Sequence, residues 1–594
     1  MSSALLTEWS RLLLGSLARA GVRDVVLSPG SRSTPFAWAA LNEPSFRCHS
    51  LVDERVAAFF ALGQARLTGR PSLLVCTSGT AAANYFPAVI EASLSRLPLL
   101  VLTADRPFEL QHSSAPQAID QIKLFGDSVR AFFELGAPDP APSALQGVLR
   151  SVAHAVHRTH FPEPGPVHLN ARARKPLEPV KPMDAGSVAL RESVDELLLR
   201  GPASAPGATL QGDVTRLARA CAETARGIIM VGPHLPTEAP LAVLRLAELT
   251  GFPLLCEATS QVRWLAEAAP EACLIDGLDW LLRSVHLGAP LRPDLIVSFG
   301  GTPTSGAYER LLSGGFAGRR FVVSPHGFPD PYGLASELVS SDSATAATAT
   351  VALLQHTDLR DASARLAFAD AWSSANRLAW RVVERELAHE TSALSEARAV
   401  RSVLAQLPEP SVLMLGNSLP IREVDAYVPG GTRRVRVLSQ RGANGIDGLI
   451  SGAAGAASTS DEPTVLLLGD VSFSHDLGGL AAAHASRGPF AVVVIDNGGG
   501  RIFEQLPIFS RFIEHAEAAQ FWLTPQGLNL AHAAQLFGYR YARVTTDAEI
   551  APAMQQATTE RGVSIVHVIV ESSSARETEQ RIRAAFERAA EAEA

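Results

Sequence analysis

The stretch VLLLGDVSFSHDLGGLAAAHASRGPFAVVVIDNGGGRIFEQLP, residues 465–507, predicts two parallel strands joined by a helix. Its segments 465–468 and 491–495 are short and wholly apolar, as in strands that are buried on both faces of a sheet. Asp470 follows the first predicted strand, and Asn497 follows the second. Because the carboxyl ends of parallel strands meet at one edge of a sheet, where ligands usually bind, we expect these two side chains to lie close together.

Asp470 and Asn497 offer the oxygen ligands that Mg²⁺ prefers, and the main-chain carbonyl of Gly499 would add a third. The glycines at 498–500 would let the backbone approach a phosphate closely. This pattern, with an acid after one strand and an asparagine and glycines after the next, resembles the diphosphate-anchoring motif of thiamine-diphosphate enzymes. The alternative is an ordinary βαβ unit with a turn acid and a turn asparagine, since GD and NG are common turn dipeptides.

The composition is that of a large globular protein with several domains: 594 residues, 47% apolar and 19% charged. A net charge of −8 argues against the basic field of a nucleic-acid-binding protein. The five cysteines form no CxxC pair, which favours free thiols in a reducing compartment. No signal-peptide core is present, and no apolar run reaches the ~20 residues that span a bilayer. We therefore expect a cytoplasmic protein without an integral membrane segment.

Alternating strand and helix patterns predict three doubly wound α/β domains. We expect an N-terminal domain at 1–180, a Pro-, Ala- and Gly-rich linker at 181–226, a middle domain at 227–355 and a C-terminal domain at 356–594. The first three predicted strands end in SPGSRSTP (28–35), TSGTAAAN (77–84) and TADRP (103–107). The chain contains no P-loop, GxGxxG, GxSxG or HExxH motif, which favours a cofactor that carries the chemistry.

Glu54 opens a predicted helix in LVDERVAAFFALGQA, residues 51–65. Taken alone, it is an acid favoured by the helix dipole, with Asp53 as the cap. In a thiamine-diphosphate enzyme, a carboxylate hydrogen-bonded to the aminopyrimidine ring drives the tautomerisation that activates the cofactor. A buried glutamate with a raised pKa suits that task. Given Asp470 and Asn497, Glu54 is the residue we expect to perform it.

Further motifs point to a narrower family. Five segments resemble the motifs of the 2-succinyl-5-enolpyruvyl-6-hydroxy-3-cyclohexene-1-carboxylate synthases, the MenD family of menaquinone biosynthesis. They occur in the same order as in that family: SPGSRSTP (28–35), TADRP (103–107), QAIDQ (117–121), GNSLPIRE (416–423) and RGANGIDG (441–448). The resemblance covers nearly the whole chain. It implies a pyrimidine-binding domain, a middle domain and a diphosphate-binding domain, with thiamine diphosphate and Mg²⁺ or Mn²⁺ as cofactors.

The activity that this resemblance implies is decarboxylation of 2-oxoglutarate and 1,4-addition of the succinyl carbanion to isochorismate. Arginine forks would bind the substrate carboxylates. By resemblance, the catalytic residues are Glu54, Arg32, Arg106, Gln117, Arg422 and Arg441. The substrates would contact Ser31, Arg32, Arg106, Gln117, Ser418, Arg422, Arg441, Ile502, Phe503 and Leu506. The cofactor would contact Glu54, Ser418, Leu419, Ile446, Gly469, Asp470, Val471, Ser472, Asn497, Gly499, Gly500 and Ile502, and the metal would contact Asp470, Asn497 and Gly499.

The chain departs from the family pattern at two positions. Gly498 stands where a second asparagine is usual, and Gly306, in GGTPTSGAYERLL (300–312), stands where a basic residue is often found. The first departure leaves the metal ligands in place. The second removes the basic residue that would contact one substrate carboxylate, and Arg310 lies nearby in the sequence.

The family brings Glu54 of one subunit against cofactor held by another, so the resemblance also implies a homodimer or a dimer of dimers. Two other functions remain open. An acetolactate-synthase-like enzyme would use the same cofactor, but pyruvate carries one carboxylate and needs fewer arginines. A regulator that binds ligands on the same fold would need the metal ligands but not Glu54.

Overall fold

The protein is described by a computed structural model covering residues 2–203, 212–238, 240–284, 288, 290–314, 316–390, 393–511 and 516–593. These residues contain three parallel six-stranded sheets flanked by helices, which confirms the predicted α/β class. The chain forms two compact units. Unit 1 comprises Met1–Ala208, Gln440–Asp461 and His475–Gly488, and unit 2 comprises Thr209–Ser439, Glu462–Ser474 and Pro489–Ala594.

The first sheet lies in unit 1, and the other two lie in unit 2. The first contains β1 (Asp24–Leu27), β2 (Arg47–Ser50), β3 (Ser72–Cys76), β4 (Leu99–Asp105), β5 (Ala131–Gly136) and β6 (Pro166–Arg172), in the order β2-β1-β3-β4-β6-β5. The second contains β7 (Gly227–Val231), β8 (Leu254–Cys256), β9 (Leu274–Ile275), β10 (Leu295–Phe299), β11 (Arg319–Val323) and β12 (Glu337–Val339), in the order β12-β11-β10-β7-β8-β9. The third contains β13 (Ser411–Leu415), β14 (Val435–Ser439), β15 (Thr464–Gly469), β16 (Pro489–Asp496), β17 (Arg540–Val544) and β18 (Gly562–Ile569), in the order β14-β13-β15-β16-β18-β17.

Most of the strands are separated along the chain by one or more helices. They are α1 (Ser2–Arg19), α2 (Thr34–Leu41), α3 (Glu54–Thr68), α4 (Thr80–Asn84), α5 (Phe86–Leu94), α6 (Pro142–Arg158), α7 (Ala185–Arg200), α8 (Thr215–Glu223), α9 (Leu241–Thr250), α10 (Leu278–Arg283), α11 (Gly306–Ser313), α12 (Ser343–Leu354), α13 (Ala362–Ala388), α14 (Glu396–Ala405), α15 (Leu419–Tyr427), α16 (Leu449–Ala457), α17 (Asp470–His475), α18 (Leu480–Ala483), α19 (Pro507–Arg511), α20 (Ala516–Leu523), α21 (Leu530–Phe537), α22 (Asp547–Thr559) and α23 (Ser574–Glu593). Among the described residues, no helix combines the length and apolarity needed to cross a bilayer.

The segment expected to be a linker, 181–226, contains two helices. Asp184 accepts a hydrogen bond from the Ser187 N–H at the start of α7, and the Ser187 hydroxyl reaches back to the main chain at Asp184. The apolar side chains of Val194 and Leu198 are buried in the core of unit 1. A capped amphipathic helix therefore forms here, although the surrounding segment is rich in Pro, Ala and Gly.

The strand register brings the predicted functional segments to common sheet edges. In the third sheet, Leu415 of β13 pairs with Leu467 of β15, and Gly469 of β15 pairs with Ile495 of β16. The segments after these three neighbouring strands are GNSLPIRE, the segment from Asp470, and the segment from Asn497. In the first sheet, β1, β3 and β4 are likewise neighbours, so the three polar segments that follow them share one edge.

Candidate functional site

The predicted site residues are divided between the two units. Unit 1 contains Ser31, Arg32, Glu54, Arg106, Gln117, Arg441 and Ile446. Unit 2 contains Ser418, Leu419, Arg422, Gly469, Asp470, Val471, Ser472, Asn497, Gly499, Gly500, Ile502, Phe503 and Leu506.

Asp470 begins α17 directly after the buried strand β15 and is 7% exposed. The main-chain N–H groups of Val471 and Gly499 donate hydrogen bonds to its carboxylate, so the glycine segment after β16 does lie beside Asp470. Burial, followed by the negative charge of Asp496, raises the pKa of the Asp470 carboxyl to about 6. A divalent cation at this carboxyl would favour the ionised form.

The side chain of Asn497 is also buried, at 5% exposure. Its Nδ2 donates to Oε2 of Glu396 at 2.9 Å, while its Oδ1 has no hydrogen-bond partner among the described residues. A buried amide oxygen without a partner is costly unless a ligand satisfies it. A metal ion coordinated by Asp470 and Asn497 would fulfil that requirement, so the donor set fits Mg²⁺.

The glycines after Asn497 have conformations that few other residues adopt. Gly498 has φ of 76° and Gly499 has φ of 125°. A β-carbon on Gly499 would lie 2.2 Å from the Leu523 carbonyl oxygen, so only glycine fits there. At Gly498 the nearest described atom would be 3.6 Å away, and asparagine also tolerates this backbone region. Position 498 therefore tolerates either glycine or asparagine.

Ser418 occupies the N-cap position of α15 without a capping side-chain hydrogen bond, and its backbone is strained, with φ 76° and ψ −129°. Such a conformation costs about 1–3 kcal/mol in a residue other than glycine, and strained residues cluster at functional sites. The half-buried Arg422, one turn into the helix, donates from Nη1 to the Ser418 carbonyl oxygen at 2.6 Å. The guanidinium is thereby held beside the start of α15, where Leu419 is buried as the first residue of the helix.

The apolar residues after the glycines are not core residues. Phe503 is 37% exposed and Leu506 is 47% exposed, while Ile502 is half-buried. Plain core packing, the alternative explanation for these side chains, is therefore excluded for Phe503 and Leu506 within the single chain. Exposed apolar side chains near the proposed metal ligands are suited to contact a bound ligand.

In unit 1, two arginines approach each other at the edge of the first sheet. Arg32 is 4% exposed; burial first, and the charge of Arg106 second, lower the pKa of its guanidinium. The Nε atoms of both arginines are buried and have no hydrogen-bond partner among the described residues. Arg106 also donates to Oε1 of the exposed Gln117 at 3.4 Å, and Ser31, next to Arg32, is exposed. Two neighbouring cations with unsatisfied donors have the chemistry that a bound carboxylate would satisfy.

Glu54 is the first residue of α3 and is half-buried. The expected cap is confirmed, because Asp53 accepts hydrogen bonds from the N–H groups of Arg55 and Val56. The charge of Glu54 acts on Cys76 and on the buried Tyr85, so its carboxylate lies near the carboxyl ends of β1 and β3. Its position at that edge is compatible with both its helix-start role and the proposed contact with a cofactor ring.

The loop that carries Arg441 and Ile446 is anchored by Glu91, which the sequence analysis did not identify. The Glu91 carboxylate accepts hydrogen bonds from the main-chain N–H groups of Gly442 and Ala443, at 3.1 and 2.7 Å. Arg66 also donates to it, at 3.0 Å, and both of these side chains are buried. Because Glu91 and the loop lie 351 positions apart, no local pattern could have revealed this contact.

Gly306 begins α11, and no described atom lies within 4 Å of the position its β-carbon would take. The fold therefore has room for a larger residue at this departure from the family. Arg310 belongs to the same helix.

No group of three or more His, Cys, Asp and Glu side chains in the described part of the chain could hold a metal ion. A metal would rely on Asp470 together with amide and carbonyl oxygens.

Comparison with known proteins identifies the fold at both ends of the chain. Residues 7–124 match the family model for the N-terminal thiamine pyrophosphate binding domain of thiamine pyrophosphate enzymes, and residues 432–568 match that for the C-terminal binding domain. These matches include Glu54 and the Asp470–Asn497 edge, respectively.

Three curated relatives, each named 2-succinyl-5-enolpyruvyl-6-hydroxy-3-cyclohexene-1-carboxylate synthase, are similar along nearly their whole length. The protein from Sorangium cellulosum is 44% identical, with 96% of this chain and 93% of the relative aligned. Those from Oceanobacillus iheyensis and Myxococcus xanthus are each 36% identical, with 95% of this chain and 94% and 95% of the relatives aligned, respectively. The chain therefore belongs to the 2-succinyl-5-enolpyruvyl-6-hydroxy-3-cyclohexene-1-carboxylate synthase family of thiamine-pyrophosphate enzymes.

Proposed function

We propose that the chain uses thiamine diphosphate and Mg²⁺ to decarboxylate 2-oxoglutarate and to add the remaining four-carbon unit to isochorismate, in menaquinone biosynthesis. The products would be CO₂ and 2-succinyl-5-enolpyruvyl-6-hydroxy-3-cyclohexene-1-carboxylate. The observation that carries the substrate assignment is the Arg32–Arg106 pair, whose buried Nε donors lack partners among the described residues. Substrates with several carboxylates need such cations, whereas pyruvate needs a single carboxylate clamp.

The cofactor would be held through its diphosphate and metal by Asp470, Asn497 and the Gly499 carbonyl. The unpartnered Oδ1 of Asn497 and the close-packed Gly499 support this assignment. The segment 469–472 and Gly500 would contact the diphosphate, and Ser418, Leu419, Ile446 and Ile502 the rest of the cofactor. When bound, thiamine diphosphate supplies the carbanion chemistry that the decarboxylation of a 2-oxoacid requires.

The protein's own residues would bind and orient the substrates and move one proton. Glu54 would hydrogen-bond the aminopyrimidine nitrogen and set its protonation state. Arg32, Arg106, Arg422 and Arg441 would bind substrate carboxylates, with Ser31, Gln117 and Ser418 donating further hydrogen bonds. The exposed side chains of Phe503 and Leu506, with Ile502, would exclude water beside the reacting carbon.

We further propose a homodimer or a dimer of dimers, in which Glu54 of one subunit serves cofactor held by another. The resemblance to the family supports this arrangement. Sedimentation analysis at the enzyme concentration used for assays tests it, and an active monomer would contradict it. A cytoplasmic location is consistent with five cysteines that are all free thiols.

The test is an assay of the purified chain with thiamine diphosphate, Mg²⁺ and isochorismate, in which isochorismate absorbance is followed with different donors. We expect isochorismate to disappear with 2-oxoglutarate and to persist with pyruvate. Pyruvate turnover that leaves isochorismate unchanged would favour an acetolactate-synthase-like enzyme. Cofactor binding without any turnover would favour a ligand-binding regulator.

Variants of the arginine pair sharpen this test. Arg32→Gln and Arg106→Gln should each lower kcat/KM about ten- to a hundredfold, because a charge-assisted hydrogen bond contributes about 1.5–3 kcal/mol. The matched control is Arg150→Gln, which removes an exposed guanidinium from α6 in the same unit. Equal activity of all three variants would refute the assignment of the pair to the substrates.

A further inference from the structure

Glu396 is a buried carboxylate in contact with the proposed metal site, and the mechanism above assigns it no role. It is the first residue of α14 and is 1% exposed. Its main-chain N–H donates to the Ser574 hydroxyl at 3.0 Å, and the preceding residue, Ser395, caps the helix. The backbone at Glu396 is therefore fixed from both sides, and its side chain extends to Asn497.

The contact with Glu396 determines which way the amide of Asn497 faces. The Asn497 amide presents its NH₂ group to Oε2 of Glu396, with Nδ2 donating at 2.9 Å. Rotating the amide by 180° would set two acceptors against each other. The oxygen consequently faces away from Glu396 and stays without a partner among the described residues, available to a metal ion.

Two further side chains restrict this arrangement. Glu423 of α15 is buried and lies close to Glu396. On the other side, Arg501 donates from Nε to the main-chain carbonyl of Asn497 at 3.1 Å. Asn497 is thus held at its backbone by Arg501 and at its side chain by Glu396.

We propose that Glu396 is a positioning residue that turns Oδ1 of Asn497 towards the metal ion. The proposal rests on the function proposed above, since it requires Asn497 to be a metal ligand. Glu396 itself would not bind the metal. Outer partners of this kind fix the geometry of a ligand, and their removal typically weakens metal affinity about 10- to 100-fold.

The first experiment measures Mg²⁺ affinity by calorimetry in the presence of thiamine diphosphate, without substrates. Glu396→Ala should weaken Mg²⁺ binding about 10- to 100-fold, and Glu396→Gln should weaken it less, since its amide oxygen still accepts from Asn497. The matched control is Ser402→Ala in the same helix, because Ser402 bonds Asp547 instead of Asn497. Wild-type affinity in Glu396→Ala would overturn the proposal.

A donor–acceptor exchange provides a second test with nearly isosteric side chains, which remains informative if Glu396→Ala does not fold. Asn497→Asp sets two carboxyl groups against each other and should weaken Mg²⁺ binding or disorder the site. Adding Glu396→Gln restores a hydrogen bond, now donated by the glutamine amide to the carboxylate introduced at position 497. The double variant should therefore bind Mg²⁺ more tightly than Asn497→Asp alone.

Simple charge attraction makes the opposite prediction, because the second substitution removes a negative charge near the metal. Weaker Mg²⁺ binding by the double variant would accordingly overturn the positioning role. Mg²⁺ binding by the wild-type protein distinguishes failure of the proposed function from failure of the Glu396 proposal. If wild type fails to bind Mg²⁺ with thiamine diphosphate, the proposed function and this inference both fall. If wild type binds and the exchange gives no rescue, only the role of Glu396 falls.

Discussion

The substitution Gly63→Ala tests how closely α3 and α16 pack in unit 1. A β-carbon on Gly63 would lie 1.8 Å from the carbonyl oxygen of Gly452 in α16. The contact is reciprocal, since a β-carbon on Gly455 would lie 1.9 Å from the carbonyl oxygen of Phe60 in α3. The packing matters for function because α3 begins with Glu54 and α16 follows the loop that contains Arg441.

The expected cost follows from these distances. Real β-carbons essentially never approach another atom within 3.0 Å, so the contact must open from 1.8 Å to at least that value, a separation of 1.2 Å. Overpacking of this kind costs about 1–3 kcal/mol, and a backbone carbonyl cannot rotate away as a side chain can. The higher helix propensity of alanine offsets about 0.5–1 kcal/mol. Because the helices must separate by 1.2 Å, we take the upper end of this range, about 3 kcal/mol, and expect a net loss of about 2 kcal/mol.

The assay is thermal unfolding followed by circular dichroism, with Gly147→Ala as the matched control. Gly147 lies within α6 of the same unit, and no described atom lies within 4 Å of the position that a β-carbon on it would take. At about 2–4 °C per kcal/mol for a domain of this size, Gly63→Ala should lower the transition midpoint by about 4–8 °C. Gly147→Ala should leave it unchanged or raise it slightly. A midpoint that rises equally in both variants would refute the close approach of the two helices.

Three further predictions concern unit 1. Glu54→Gln should retain thiamine diphosphate binding by calorimetry and lose most turnover, because the diphosphate ligands remain while the proton relay is removed; unchanged turnover would contradict that role. Glu91→Gln should lower both kcat/KM and the thermal midpoint, since buried Arg66 loses its charge partner and one main-chain N–H of the Arg441 loop faces an NH₂ group. Normal kinetics would mean that Glu91 does not position the loop. Burial lowers the pKa of His168 to about 3, so the unfolded chain binds an extra proton between that value and its ordinary pKa near 6.5. The contribution of His168 to the free energy of unfolding should be fully present above pH 6.5. It should fall by about 2 kcal/mol between pH 6.5 and 5, at about 1.4 kcal/mol per pH unit. A His168→Asn variant that loses as much stability over this interval would refute the assignment.

The sequence predicts the centre of each sheet well. The apolar runs 465–468 and 491–495 correspond to β15 (Thr464–Gly469) and β16 (Pro489–Asp496), since strands buried on both faces must be apolar throughout. Edge strands lack that signal. The strand β2, RCHS, has exposed or half-buried residues throughout, and β17, RYARV, is mostly half-exposed, so neither forms an apolar run.

The candidate site divides in the same way. Asp470, Asn497 and Glu54 are recognisable because each stands at a fixed position relative to a strand end or a helix start. Glu91 and Glu396 are not, because they act through partners 351 and 101 positions away. A buried carboxylate in a helix looks like any other charged helix residue until the fold shows what it contacts. Local patterns therefore indicate the residues proposed to touch ligands, whereas the residues that hold them in place require the structure.

The most direct test of the central claim is to trace the carbons of 2-oxoglutarate by mass spectrometry in a reaction with isochorismate, thiamine diphosphate and Mg²⁺. With label at carbon 1, we expect labelled CO₂ and an unlabelled adduct. With label at carbon 5, we expect a labelled adduct that contains the four-carbon unit and the isochorismate skeleton. Labelled CO₂ without any adduct, or an adduct that retains carbon 1, would contradict the proposed reaction.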